Sequence, residues 1–344
     1  MSASVIEVIS PGLLTTVQDL GRPGYARYGL GPGGAADDFA LRAANFLADN
    51  PPGAAGLEVT LAGPAIRFSA GTSLAIAGAD LGPALDGRPL ENWRGYMVSA
   101  GQVLTFGRPV RGCRAYLAVH GGVDIPPAMG SRSTDLKAGL GWGGGRPLAA
   151  GDRLPVGGGI VPASRLDALA LAFERLLPAG DESPGGYLDR EAVAATAGPQ
   201  EDHFDPATVS LFHSSAFTVA TASDRMGLRL EGPAIRPLRP DIVSDGLVAG
   251  AVQVPESGQP LCLLAGHQTT GGYPKIAVAG LAHLRVLAQR APLARVAFFG
   301  AAQDDLDAEA AAYLHAVRAW EAWRLGGRAT RLFRVRNGPV CLAE

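Results

Sequence analysis

Side chains able to do chemistry are packed most densely between residues 264 and 275, which read Leu-Ala-Gly-His-Gln-Thr-Thr-Gly-Gly-Tyr-Pro-Lys. His267 offers an imidazole, Gln268 an amide, Thr269 and Thr270 hydroxyls, Tyr273 a phenol and Lys275 an ammonium. Gly271 and Gly272 allow positive φ and bring backbone N–H groups close to a ligand, and Pro274 fixes the backbone just ahead of Lys275. Apolar runs at 261–265 and 276–279 read as strands, so the loop sits on a rigid base. Two readings fit: a ligand site, or a barrel corner in which Gly kinks the chain and Thr and Gln satisfy backbone groups.

Three more polar, Gly-rich clusters accompany it. They are residues 18–25, the group His120-Gly121-Gly122 with 130–135, and residues 223–227. Arg132 and Arg225 carry planar forks suited to carboxylate, carbamate or phosphate, with a surface ion pair as the plainer alternative. Ser131 and Thr134 add hydroxyls, and His120 follows the strand-like run 116–119, where a satisfied structural histidine is the competing role. The expectation is that Gln268, Thr269, Thr270, Gly271, Gly272, Tyr273 and Lys275 converge with Arg225, Arg132 and His120 on one pocket.

Other chemistries lack their signatures. Gly29-x-Gly31-x-x-Gly34 and Gly139-x-Gly141-x-x-Gly144 match the dinucleotide fingerprint literally, but the first holds Pro32 and follows no clear strand, and the second precedes no helix. No Gly-Lys-Ser/Thr, Gly-x-Ser-x-Gly, His-Glu-x-x-His or EF-hand pattern occurs. The six histidines show no metal spacing, so no metal is expected. Neither lysine, Lys137 or Lys275, lies in the Met-Lys-Met context of a biotin carrier. A net charge of −2 speaks against nucleic acid or anionic membrane as partner. Cys113, Cys262 and Cys341 form no Cys-x-x-Cys pair. No signal-peptide pattern and no apolar run of roughly 20 residues is present, which suggests a cytoplasmic protein.

The elements that must position these groups are read as mainly β. With 344 residues, 47 Gly, 26 Pro and a mean hydropathy of +0.14, the composition favours many short strands and tight turns. Strand-like runs fall at 4–9, 57–61, 74–77, 102–106 and 116–119. Asp37 or Asp38 caps a helix reaching about residue 49, with Phe39, Ala43, Phe46 and Leu47 on one face. A second amphipathic helix is expected over 166–177, and a third over about 305–325 with Tyr313, Leu314, Val317 and Trp320 inward, followed by a β-like tail at 331–336. The polar stretch 178–206 reads as linker, and strands are expected to resume at Val209 and continue to about 299. The echo of Leu-Ala-Gly-Pro-Ala-Ile-Arg at 61–67 and Leu-Glu-Gly-Pro-Ala-Ile-Arg at 230–236 suggests two similar halves. The expected divisions are 1–160, a β-rich half; 161–206, helix and linker; 207–304, a second β-rich half; and 305–344, helix and tail.

Six ordered motifs carry a resemblance. They are Val17-Gln-Asp-Leu-Gly-Arg-Pro-Gly-Tyr25, His120-Gly-Gly with 130–134, Gly151-Asp152, Ser223-Asp-Arg-Met-Gly227 with 229–233, Ala251-Val-Gln-Val-Pro255 with 258–260, and 268–277. Together they resemble the biotin-dependent carboxyltransferase family, which includes the C subunit of 5-oxoprolinase, KipA and the carboxyltransferase region of urea amidolyase, formerly grouped as allophanate hydrolase subunit 2. The resemblance implies two cyclophilin-like β-barrel halves with a few peripheral helices. It implies a KipI-like B subunit and an A subunit of the LamB/YcsF type as partners, with ATP used by the complex to open 5-oxoproline to glutamate. Alternatives it allows are a carboxyl transfer to urea or a similar amide, with biotin carried in trans, and a KipA-like regulator that sequesters a kinase inhibitor. In the enzymatic reading Arg225 holds an anionic group, Lys275 neutralises charge on a reacting oxygen, Gln268 and the threonines orient the amide, and His267 carries a proton. Departures from the family pattern are Gly266-His267 in place of Asp-Arg, Gly33-Gly34-Ala35-Ala36-Asp37 in place of Ser-Gly-Ala-Met-Asp, and Leu228 in place of Tyr.

Overall fold

In the computed structural model, residues 4–178, 181 and 183–326 are described. Residues 4–156 build two antiparallel sheets. One is six-stranded, in the order Arg153–Val156, Ser4–Ser10, Ala65–Phe68, Val103–Thr105, Ala84–Leu85, Arg88–Pro89. The other is five-stranded, in the order Leu14–Gln18, Gly56–Thr60, Arg111–Val119, Thr72–Asp80, Arg94–Val98. Period-2 alternation puts Leu57, Val59, Leu74, Ile76 and Leu117 into one core with Ile6, Val8, Ile66 and Phe68 of the facing sheet. The intervening Ala75, Ala77 and Ala118 point the other way, where their small size admits helix α1, Asp38–Leu47. Asp37 caps α1 by accepting from the Ala40 N–H at 3.0 Å.

The second half is a closed seven-stranded barrel of Ala192–Ala197, Lys275–Ala279, Ala251–Gln253, Leu261–Leu263, Gly227–Glu231, Ala216–Val219 and Arg295–Gly300. A parallel pairing of its first and last members closes it. Helices α2, Ala163–Arg175, and α5, Gln303–Arg324, pack with α1 between the halves; α3, Pro206–Ser214, lies on the barrel, and α4, Leu284–Ala288, meets α1. Aromatic rings fill the junction: Phe39 meets Tyr187 edge-on at 5.6 Å, Trp93 stacks on Phe173 at 5.9 Å, and Trp320 lies 5.0 Å from Phe173. One buried cluster therefore runs from Phe39 of the first half to Phe217 and Phe298 of the barrel.

The mainly β reading with few helices holds, and closure into a barrel is the property of the second half. Several local readings change. The polar stretch 178–206 contains the barrel strand Ala192–Ala197, an Ala-rich run with only Val193 and Thr196 β-branched, which is paired on both sides. Val209 lies in α3, capped by Asp205 and started by Pro206, a helix signal that outweighs the apolar run. Leu314 is 40% exposed on α5, while Leu306, Ala316 and Ala319 face inward. The β-like run 331–336 and Cys341 lie outside the described residues. The sequence echo has a structural counterpart. A Cβ on Gly63 would meet the Phe106 ring at 2.5 Å, and one on Gly232 would meet Phe217 at 2.7 Å. Ile66 and Ile235 are both fully buried beyond the turn.

Candidate functional site

The loops at 18–25 and 130–135 are joined through one carboxylate. Asp19 accepts from the Ser131 and Ser133 hydroxyls at 2.6 Å each, from Gly21 N–H at 2.8 Å and from Arg132 N–H at 2.6 Å. Arg22 is 1% exposed and donates Nη2 to the Ser133 carbonyl at 2.5 Å. Its Nη1 makes no hydrogen bond among the described residues and lies 4.0 Å from Asp135. The side-chain oxygens of Gln18 and Thr134 are likewise buried and unpartnered there.

The glycine-rich segment 29–34, a literal but weak dinucleotide fingerprint, is a spacer between clusters. Ala35 N–H donates to the Asp19 carbonyl at 2.9 Å and Arg22 N–H to Pro32 at 2.7 Å. A Cβ at Gly34 (φ +86°) would strike Gly21 N at 2.8 Å, so only glycine fits. From the other side Arg225 reaches in. Its guanidinium donates to Glu58 and to the Gly34 carbonyl. Glu58 also accepts from Ala36 N–H at 2.9 Å and from the Tyr116 hydroxyl at 2.8 Å. Burial lowers the Arg225 guanidinium to about 10, which leaves it charged at neutral pH. Arg225 therefore ties the barrel to the first half; its fork faces Glu58, not an open pocket. Glu58 has no signal in the sequence because it is a single acid inside an apolar strand, on the face opposite Leu57 and Val59, and that face is buried as well.

Gly266 follows directly, its N–H donating to the Arg225 carbonyl at 2.8 Å, and a Cβ on Gly31 would meet the His267 carbonyl at 2.6 Å. Beyond it the loop pairs with residues 242–247: Leu247 N–H donates to Thr269 at 3.0 Å, Ile242 N–H to Gly272 at 2.9 Å, and Asp245 pairs with Gly271 in register. Lys275 is 3% exposed, and its ammonium reaches Asp245 at 2.5 Å and the Gly246 carbonyl at 3.2 Å. That hydrogen bond holds the Asp245 carboxyl below its usual range. Gln200 braces both, accepting from Lys275 N–H at 3.2 Å and donating to Asp245 at 3.4 Å. The Gln253 amide donates to the Tyr273 carbonyl at 3.3 Å and packs under Gly271, where a Cβ would lie 2.7 Å from it.

The clusters at 18–25, 130–135, 223–227 and 264–275 thus form one continuous band. Within it Thr269, Thr270 and Tyr273 lie with Lys275 on one loop, Tyr273 being 44% exposed. Arg132 is set apart from that loop, its side chain donating to the Ile125 carbonyl at 2.6 Å and to Asp124 at 3.2 Å. His120 donates Nδ1–H to the Ala48 carbonyl at 2.9 Å, closing the C-terminal end of α1. Asp19, Arg22, Asp245, Gln200 and Gln253 are the polar residues the motifs did not single out. Asp19 and Arg22 stand inside a quoted motif, whereas Asp245 and Gln200 carry no local signal. On the segment paired with this loop, Val243, next to Ile242, is 93% exposed.

A mainly β chain with a closed barrel and glycine-rich polar loops along the seam between its halves defines the class. Residues 28–299 match the family "Carboxyltransferase domain, subdomain A and B", and the chain belongs to that family. It is 40% identical over 288 residues to the C subunit of 5-oxoprolinase from Escherichia coli, covering 83% of this chain and 87% of that one. It is 35% identical to the Haemophilus influenzae protein of the same name, again over 87% of its length. The urea amidolyase of Lachancea kluyveri is 38% identical over 70% of this chain but only 13% of its own. Among solved structures, Kluyveromyces lactis urea amidolyase superposes with a TM-score of 0.81 at 27% identity, over 93% of this chain and 20% of that chain. The chain thus spans about a fifth of that much longer protein.

Proposed function

We propose that this chain is the C subunit of an ATP-dependent 5-oxoprolinase, acting with a KipI-like B subunit and an A subunit of the LamB/YcsF type to open 5-oxoproline to glutamate. The observation carrying this reading is the extent of the correspondence: the E. coli relative, a 5-oxoprolinase C subunit, is matched along 87% of its length, where the urea amidolyase match occupies 13%. The geometry agrees with work in a complex. The loop 268–275 lies at an open surface, with exposed Tyr273 on it and exposed Val243 on the segment paired with it, and exposed apolar groups of this kind favour a covering partner. With that partner in place, Lys275 would stabilise charge on a reacting oxygen, and Gln268, Thr269 and Thr270 would orient the amide by hydrogen bonds. ATP would be used by the complex, with no nucleotide held by this chain alone.

A carboxyl transfer to urea, with carboxybiotin supplied in trans, is the second reading, favoured by the 0.81 TM-score to urea amidolyase. The deciding experiment isolates the native complex by an affinity tag on this chain. It is assayed for glutamate release from 5-oxoproline with ATP, and for carboxylation of urea with a carboxybiotin donor. Glutamate release supports the first reading. Carboxylated urea without glutamate replaces it with the second. Neither activity in an intact complex leaves the regulatory role, sequestering a partner.

A further inference from the structure

The surroundings of His267 hold its ring in a defined geometry. Its Nδ1 lies 2.6 Å from the Gln268 carbonyl oxygen. A carbonyl only accepts, so Nδ1 must carry the hydrogen, and the neutral ring is held as the Nδ1–H tautomer with its lone pair on Nε2. Among the described residues Nε2 has no hydrogen-bond or ion-pair partner, and it is not one of the fully occluded unpartnered atoms. The residue is nevertheless only 5% exposed, so the ring is held in place while Nε2 keeps a path to solvent. His267 N–H donates to Leu264 at 3.0 Å and the His267 carbonyl is covered by Gly31, fixing the backbone on both sides.

We propose that Nε2 of His267 is the proton-transfer group of this site; this rests on the amide-opening reading above. As water attacks the amide carbonyl and the new O–C bond forms, a proton passes from that water to the Nε2 lone pair. As the C–N bond breaks, the same proton passes to the departing nitrogen, and the imidazole returns to neutral. The charged groups on the packed elements do not oppose this. Arg225, in the segment against Gly266, is compensated by Glu58. Asp224 is turned onto the Met226 and Gly227 N–H groups. Arg22 lies behind Gly33, and Lys275 at the loop's far end is paired with Asp245.

The test has an arm that needs no turnover. Nitrogen-15 imidazole spectra of the isolated chain, with the His267 signals assigned by their loss in His267→Gln, should show a neutral ring protonated on Nδ1. Diethyl pyrocarbonate should modify Nε2 of His267 in the folded chain. A ring protonated on Nε2, or one inert to the reagent, overturns the proposal. In the complex, His267→Gln should lower kcat by about 10²-fold or more and erase the acidic limb of the pH–kcat profile, with KM and partner binding within about threefold. A wild-type complex that turns over beside a His267→Gln complex of near-equal rate and unchanged profile overturns the proposal and leaves the functional reading standing. A wild-type complex with no amide turnover overturns that reading, and with it the step assigned here, whatever the spectra show.

Discussion

At the scale of single residues, two of the buried cations, Arg225 and Lys275, look alike in the sequence and differ in the structure. Arg225 is committed to Glu58, which is 1% exposed and has no route to water. Lys275 is committed to Asp245, whose side chain is 50% exposed. Removing one member of a fully buried pair strands the other charge and typically costs about 3–5 kcal/mol, whereas an exposed partner is simply resolvated. Arg225→Met should therefore unfold at clearly lower denaturant concentration, with Glu58→Gln in the same chain recovering part of the loss. Lys275→Met should keep its unfolding midpoint close to that of wild type and lose about 10²–10³ in turnover by the complex. Chemical denaturation of the four proteins with matched kcat measurements checks both. A stable Arg225→Met, or a fully active Lys275→Met, would reverse the assignments.

Elements are held by polar groups as well as apolar faces, and α1 shows this best. Its capping residue Asp37 is completely buried and accepts from Ala40 N–H at 3.0 Å, the Tyr187 hydroxyl at 2.6 Å and Gln289 Nε2 at 2.7 Å. Gln289 also binds the Arg114 carbonyl at 2.9 Å, so helix, sheet and barrel-side helix meet at this carboxyl. Burial lifts the Asp37 carboxyl to about 6, against the lowering effect of those hydrogen bonds. A pKa raised on folding favours the folded state below the unfolded value near 4, and that contribution is lost as pH rises through about 6. Asp37→Asn keeps a capping side chain and removes the titration. Relative to wild type, its unfolding free energy should rise between about pH 4 and 6.5 and then level, by on the order of 2–3 kcal/mol. Urea denaturation at stepped pH reads this directly; a flat difference across that range would mean that Asp37 does not titrate there.

For the whole molecule, the decisive fact is that the two β-rich halves share a core. Phe39 and Phe46 of the first half pack on Phe173 and Trp320, and the same buried cluster continues into the barrel through Val193 and Phe217. Glu58–Arg225 and the Asp37 network cross the same boundary. Halves joined this way should unfold together, so tryptophan fluorescence, which reports on Trp93, Trp142, Trp320 and Trp323, and far-UV circular dichroism should give one coincident transition. A fragment of residues 1–160 would expose the outer faces of α1 and should lack dispersed amide signals by NMR. Two separate transitions, or a well-folded fragment, would show the halves to be autonomous.

Sequence alone determined what depends on local pattern. Period-2 alternation at Leu57 and Val59, helical spacing at Phe39, Ala43 and Phe46, and the Asp37 cap are written in neighbouring residues, because each element must bury one face and close its own ends. The Gly-rich polar loops were legible as a set for the same reason: their composition suits neither a helix nor a continuous strand. Tertiary structure decided which charges meet. Glu58 and Arg225 are 167 residues apart, and Lys275 and Asp245 are 30 apart, so their pairing is set by how strands stack and not by spacing along the chain. It also decided that the Ala-rich stretch Ala192–Ala197 is a barrel strand. A run with no strong preference of its own takes the conformation in which neighbours on both sides complete its hydrogen bonds.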